Sequence, residues 1–272
     1  MNPVGLIASL WKSKYNLPYV ITEHWTGYLS SDGRFQKSII LKRLIPKIAN
    51  RASKILPVSA DLKTALLKQN LGVNFQIVRN VVDTGKFKIT DNLKDRFLVV
   101  ADLEDSQKNI SGLIEGFLLF SKSNPSLKLS IAGGGENEQE IRDFVSSLNL
   151  DSKIEFHGRV PAEELNILLS KSYASVLFSN YENLPCVIVE SFAAGVPFIS
   201  TDVGGIREII NNERGILIEP NNKIELSKAL EKVIQKTWNH ELIREYAVNN
   251  FSFEKIGKEF DNIYTEVIGR EA

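Results

Sequence analysis

Short β-branched runs alternate along the chain with longer amphipathic stretches, a pattern that predicts an α/β fold with parallel strands. Strands are expected at residues 19–23, 55–58, 75–78, 97–101, 127–132, 153–156, 174–178, 198–201 and 215–218. Helices are expected near 35–52, 60–71, 108–122, 136–149, 161–170, 185–194 and 223–235, with two more at 238–249 and 253–269. Ser59 follows a strand and suits an N-cap, and Gly72 suits the C′ position that stops the helix it opens.

The alternation is uneven. Residues 79–95 (RNVVDTGKFKITDNLKD) carry turn formers and little periodicity, and read as an interdomain linker. Behind them, residues 96–250 hold about six strand–helix units, enough for a complete doubly wound domain. Residues 1–78 hold only three strands and two or three helices, so they read as the tail end of a larger domain.

Composition narrows the function class. The 272 residues carry 33 Lys and Arg against 33 Asp and Glu, and this formal neutrality argues against a nucleic-acid protein working by bulk charge. Cys186 is the single cysteine, which excludes an internal disulfide framework and a cysteine-based zinc cage. No apolar run reaches the roughly 20 residues of a membrane span, and no basic-then-apolar leader opens the chain. A soluble, cytoplasmic globular protein is expected.

The residues richest in chemistry lie in SNYENLPCVIVESFAAGVPFISTDVGG, residues 179–205. Glu182 follows a predicted strand, where open α/β sheets place ligands beside a helix N-terminus; a solvated loop acid would look the same. Glu190 sits inside the next helix among apolar neighbours, where a carboxylate is costly unless something bonds to it. A ribose diol would satisfy both oxygens, and so would a neighbouring loop. Gly133, Gly134 and Gly135 follow a strand and would let a phosphate approach the backbone; a tight turn explains them equally well. Lys108 is expected at a helix N-terminus, where it opposes the dipole and is either solvated or facing an anion. His24 ends the first predicted strand. His157 and His240 have no partner pattern, and no His or Cys pair has metal-ligand spacing.

Taken together these residues resemble a family. The Glu182–Glu190 pair, spaced E-x7-E and followed by ESFAAGVPFISTDVGGIREII, resembles the retaining glycosyltransferases of family 4, which have the GT-B fold. The linker residues Asn80, Val81, Val82, Asp83 and Phe87, the turn in LKLSIAGGGENE, the strand exit in IEFHGRVPAEEL and the tail FSFEKIGKEFDNIY are similar to further family segments. The resemblance implies an α/β, GT-B architecture: a partial acceptor-side domain over 1–78, a linker over 79–95, a nucleotide-sugar domain over 96–250, and a helix over 251–272 that crosses back to the first domain.

The resemblance also implies roles. Glu190 would hold the donor ribose, and Glu182 would lie beside the transferred sugar, with His24 near the reacting carbon. The segment of Asn183, Leu184 and Cys186 would face the donor sugar and phosphates, and Lys108 the diphosphate. Gly133, Gly134 and Gly135, with Gly158 and Val160, would border the nucleotide. The donor is a nucleotide-diphosphate sugar and the acceptor a glycan or lipid-linked glycan, so a peripheral contact with the inner membrane face is allowed. No metal and no cofactor are implied, because cationic side chains and helix dipoles neutralise the leaving diphosphate. A non-catalytic remnant that binds a nucleotide sugar or a partner, and a GT-B sugar-nucleotide epimerase, are the competing readings.

The sequence departs from the family in two places. Ala101 and Asp102 stand where a Gly-Arg pair is usual, and an acid there would repel a diphosphate by more than about 1 kcal/mol. The front of the first domain has no counterpart, so an open strand edge and uncovered Trp11, Trp25 and Ile39 are expected to favour self-association.

Overall fold

The computed structural model describes residues 3–90 and 92–269. Two compact units divide the chain: one takes the chain up to Val81 together with the chain from Phe253, and the other holds Val82–Ser252.

In the first unit α1 (Pro3–Tyr15), β1 (Val20–Glu23), α2 (Arg34–Lys37), α3 (Ile39–Ala49), β2 (Lys54–Pro57) and α4 (Ala60–Lys68) follow in order. β1 and β2 pair in parallel, with Val20 opposite Lys54 and Glu23 opposite Pro57. α1 was not legible in the sequence, because much of its apolar surface remains exposed and leaves no clean stripe to read. The single helix expected over 35–52 is broken at Ser38, whose hydroxyl accepts from the Leu41 N–H and caps α3. The strand expected at 75–78 is reduced to one bridge, Phe75 to Ile55. The N–H groups of Gln76 and Val78 still reach the carbonyls of Ile55 and Pro57. The return bond fails because proline has no N–H to give.

α4 starts as expected, with Ser59 accepting from the Leu62 N–H. Its stop is not Gly72 but Asn70, at φ 55°. The Asn70 and Leu71 N–H groups bond back to the carbonyls of Leu67 and Leu66, the paired closure of a Schellman end. Trp25 is covered, edge-on to Tyr28 and under the Arg34 guanidinium, whereas Trp11 and Ile39 are exposed.

The second unit runs β3 (Arg96–Val100), α5 (Asp105–Lys108), α6 (Ile110–Ser121), β4 (Lys128–Ala132), α7 (Glu138–Ser147), β5 (Ile154–Gly158), α8 (Ala162–Ser170), β6 (Ser172–Leu177), α9 (Cys186–Ala193), β7 (Phe198–Thr201), β8 (Gly215–Ile218), α10 (Lys223–Gln235) and α11 (His240–Phe251). Its six strands are parallel in the order β5-β4-β3-β6-β7-β8. Phe97, Leu98, Val99, Ile131, Val176 and Ile199 are fully buried, as expected for a parallel sheet covered on both faces. This is the Rossmann strand order. Its direction of travel reverses between β3 and β6, and ligands in such sheets bind outside the strand C-termini at that reversal.

α12 (Phe253–Gly269) belongs to the first unit. Ile256, Ile263 and Val267 recur at helical spacing and join Leu56 and Val78 in one buried cluster. The Lys54 ammonium, buried at the start of β2, meets the Glu266 carboxylate at 2.7 Å.

Candidate functional site

The loops after β3 and β6 are knitted together at the reversal. The Asn180 N–H donates to the Gln107 carbonyl at 2.8 Å, the Asn180 side-chain amide to the Ser106 carbonyl at 3.0 Å, and the Gln107 amide to the Tyr181 carbonyl at 3.3 Å. Across this seam the Lys108 ammonium meets the Glu182 carboxylate at 2.5 Å. The same carboxylate oxygen accepts from the Ser179 hydroxyl at 2.9 Å, and Ser179 in turn is held by Thr201, whose hydroxyl donates to its carbonyl at 2.7 Å.

These bonds correct two expectations. Glu182 is not a solvated loop acid, since only 5% of it is exposed. Lys108 does not open a long helix. Asn109, at φ 49°, divides α5 from α6 and caps the latter through the Gly112 N–H. Lys108 therefore ends a one-turn helix, the end at which the dipole favours a cation.

Glu190 lies in the middle of α9, half-buried, with Ile188, Val189, Ser191 and Phe192 buried around it. None of the described residues donates a hydrogen bond to its carboxylate. Burial pushes the Glu190 carboxyl up from the ordinary carboxylate range. Pro185 is the N-cap of α9 rather than its first helical residue, and its own side chain makes no capping bond. Leu184 and Asn183 are buried just ahead of the helix. Asn180 Oδ1, in the seam, is buried and takes no donor among the described residues.

The glycines at the strand exits serve close backbone packing. Gly133, at φ 150°, lies so near the Ala101 carbonyl that a Cβ could not fit, and its N–H donates to the Gly158 carbonyl at 2.7 Å. A Cβ on Gly135 would lie 2.7 Å from Leu103 backbone atoms. α7 begins only at Glu138, so the three glycines form an extended turn and do not themselves open a helix. Gly204, at φ 57°, is pressed in the same way onto the Glu182 carbonyl, while the Gly205 N–H donates to Asn183.

These exits border a cavity of about 380 Å³ whose walls include Asp102, Gly133, Arg159, Val160, Leu165 and Val187. The Arg159 guanidinium bonds the Asp102 carboxylate at 3.1 Å. The acid in the usual arginine position thus brings a cation with it, and the repulsion expected from Asp102 alone is offset. Sequence reading missed Arg159, Asn180 and Gly204. Arg159 and Asp102 are 57 positions apart, and only the exits of β3 and β5, one on each side of β4, unite them.

His24 lies in the first unit, exposed, directly after β1. Beside it the buried Glu23 carboxylate accepts from the His24 and Trp25 N–H groups at 3.0 Å each, fixing the turn. Burial, together with the Glu23 charge, holds the Tyr28 phenol far above its usual range. Among the described residues no group of three His, Cys, Asp or Glu is placed to hold a metal ion, and no helix is long and apolar enough to cross a membrane.

Comparison with known proteins bears on the family and the fold. The family described as glycosyl transferases group 1 matches residues 83–250. An uncharacterized glycosyltransferase of Methanocaldococcus jannaschii is 30% identical over 256 residues, which cover 93% of this chain and 68% of the relative. A second protein so described from the same organism is 32% identical over 176 residues, covering 60% of this chain and 44% of the relative. Anabaena HepE, solved in complex with UDP, has a TM-score of 0.86 at 18% identity, covering 98% of this chain and 77% of that one. The fold is therefore the Rossmann-like arrangement of GT-B glycosyltransferases. With the family matched over residues 83–250 and a described glycosyltransferase 30% identical over 93% of the chain, this chain belongs to the glycosyl transferases group 1 family.

Proposed function

We propose that the chain takes part in a retaining, metal-independent transfer of a sugar from a nucleotide-diphosphate donor to a glycan or lipid-linked acceptor. The observation that carries this reading is the half-buried Glu190 carboxylate, which takes no donor among the described residues and stands one helical turn inside α9. A ribose diol supplies two donors to such a carboxylate. A diphosphate is an anion of the kind that a helix N-terminus favours. Lys108 and Arg159 flank this helix start from the β3 and β5 exits and would neutralise the leaving diphosphate. The cavity between Gly133 and Val160 would take the base.

In this mechanism Glu182 holds Lys108 in place before the donor arrives. When the donor binds, Lys108 turns part of its hydrogen bonding toward the diphosphate, and Glu182 is left facing the sugar. Departure of the diphosphate and attack by the acceptor hydroxyl occur on the same face, so the anomeric configuration is retained.

Calorimetry with UDP, GDP and ADP tests the binding reading. One of them should bind, and Glu190→Gln should weaken it by about tenfold or more, since a charged acceptor to two hydroxyls is lost. No binding of any of the three by a folded protein would sink the proposal. A second expectation follows from Glu190 alone. Its folded pKa is raised, so its contribution to stability is present below the unfolded carboxylate value and is lost as pH rises through the folded value. Thermal melts of Glu190→Gln should therefore exceed those of the wild type at neutral pH, with the gap closing toward pH 4. A gap that instead widens as pH falls would contradict the burial of this group.

A further inference from the structure

The second unit has a larger cavity at the other end of its sheet. About 670 Å³ in volume, it opens among the residues that lead into β3, β6 and β7 and the start of α11. The nucleotide site proposed above lies at the strand exits, and a strand of five residues at ~3.3 Å each separates the two ends. The walls of the cavity are tied together. Arg244 of α11 donates to the Phe87 carbonyl of the linker at 2.5 Å and to the Ala193 carbonyl at the end of α9. Gly195, at φ 73°, is pressed so closely between linker and α11 that a Cβ would lie 2.7 Å from the Ile89 side chain and 3.0 Å from the His240 carbonyl oxygen.

Two basic side chains meet inside it. His240 Nδ1 lies 2.7 Å from the Gly195 carbonyl, which only accepts, so Nδ1 carries the proton and Nε2 is an acceptor. Nε2 faces the Lys94 ammonium at 3.3 Å and orients it by accepting one of its three hydrogens. Both side chains are half-buried. Asn239 uses its oxygen on the Leu242 N–H at 3.1 Å, so its NH2 is what it offers a ligand. Trp238 uses its N–H on the Val233 carbonyl at 3.1 Å, so its ring is an apolar wall beside Ile89 and Val196. Glu241, exposed, adds a carboxylate to the lining.

We propose that this cavity binds a phosphorylated sugar. Lys94, held by His240, supplies the positive charge for the phosphate, and the Asn239 NH2 supplies a further donor. The Glu241 carboxylate accepts from sugar hydroxyls, while Trp238, Ile89 and Val196 cover the apolar face of the ring. An apolar wall with a few placed polar groups is the usual make-up of a small-molecule site. Inorganic phosphate would make no use of the apolar wall and would be repelled by Glu241. A nucleoside diphosphate would bring more charge than one lysine beside an acid offsets. None of these residues belongs to the nucleotide site, so the cavity stands or falls independently of the function proposed above.

Calorimetry of the full chain with glucose 6-phosphate and glucose 1-phosphate tests it, with glucose and inorganic phosphate as the separate halves. At least one sugar phosphate should bind at a single saturable site, about tenfold or more tighter than either half. Lys94→Gln should weaken that binding by about tenfold or more, the loss of one charge-assisted contact. Glu241→Gln should bring the affinities for the sugar phosphate and for inorganic phosphate closer by about fivefold, because it removes a sugar contact and a repelling charge together. If Lys94→Gln lowers the melting temperature, the Glu241→Gln ratio still decides, since that position is exposed. UDP, GDP or ADP in excess should not displace the sugar phosphate. The proposal is overturned if neither sugar phosphate binds, if inorganic phosphate binds as tightly as they do, or if folded Lys94→Gln binds like the wild type. Displacement by a nucleoside diphosphate overturns it too, because the ligand would then sit at the strand exits.

Discussion

Glu182→Gln is expected to suppress sugar transfer by about a hundredfold while leaving the affinity for free nucleoside diphosphate unchanged or raising it. The glutamine keeps an oxygen for the Ser179 hydroxyl and removes the charge that holds Lys108 at 2.5 Å. Under the proposed mechanism the wild-type lysine is shared between Glu182 and an incoming diphosphate. In the variant it serves the diphosphate alone, and the nearby repelling charge is gone. Tightening of up to about tenfold, or ~1.4 kcal/mol, is the expected scale. The loss in transfer follows the size found when one charge-stabilising group is taken from a reacting centre, typically 10²–10³. Calorimetry with free nucleoside diphosphate, set beside a radiolabelled-sugar transfer assay, separates the two quantities. If Glu182→Gln and Glu190→Gln lose affinity in parallel, the division of labour between the two glutamates is wrong.

Gly133→Ala should be the most damaging small change in the second unit. Its φ of 150° disfavours any side chain, and the added carbon would overlap the Ala101 carbonyl, which is backbone and cannot swing aside. We expect a loss of about 4 kcal/mol or more, the scale of overpacking joined to a forced backbone conformation. For a chain of this size that is a fall in Tm of roughly 8–16 °C. Nucleotide binding should go with it, since the turn borders the cavity. Gly158→Ala is the matched control. Gly158 has φ 66°, but a Cβ there meets nothing within 4 Å. It should cost only about 1–2 kcal/mol, the price of a left-handed residue. Equal melting temperatures for the two variants would mean that φ strain alone, and not the contact between loops, makes Gly133 necessary.

Strand and helix alternation, and hence the parallel sheet of the second unit, could be read from the sequence because each strand is a short apolar run bounded by turn residues. Ser59 as a cap was legible because capping is a contact between near neighbours. The same locality misled at helix ends. Asn70 and Asn149, not glycines, take the left-handed position after α4 and α7, and a propensity for glycine cannot tell which asparagine will do so. Pro57 removed a strand pairing by lacking one N–H, an effect visible only once its partner is known.

Glu182 and Glu190 stood out in the sequence by their spacing and by the apolar run around the second. Family resemblance then supplied roles that residue types alone left open. What the sequence by itself determined is therefore local: which segments are strands or helices, and which polar residues sit where water should be scarce. The tertiary structure decided what each of those residues meets. It set Lys108 against Glu182 across 74 positions and Arg159 against Asp102 across 57. It also left Glu190 without a donor among the described residues and turned Ile39 and Ile40 outward. These pairings depend on which strand exits become neighbours, and strand order is fixed by packing of the whole sheet rather than by any stretch of chain within it.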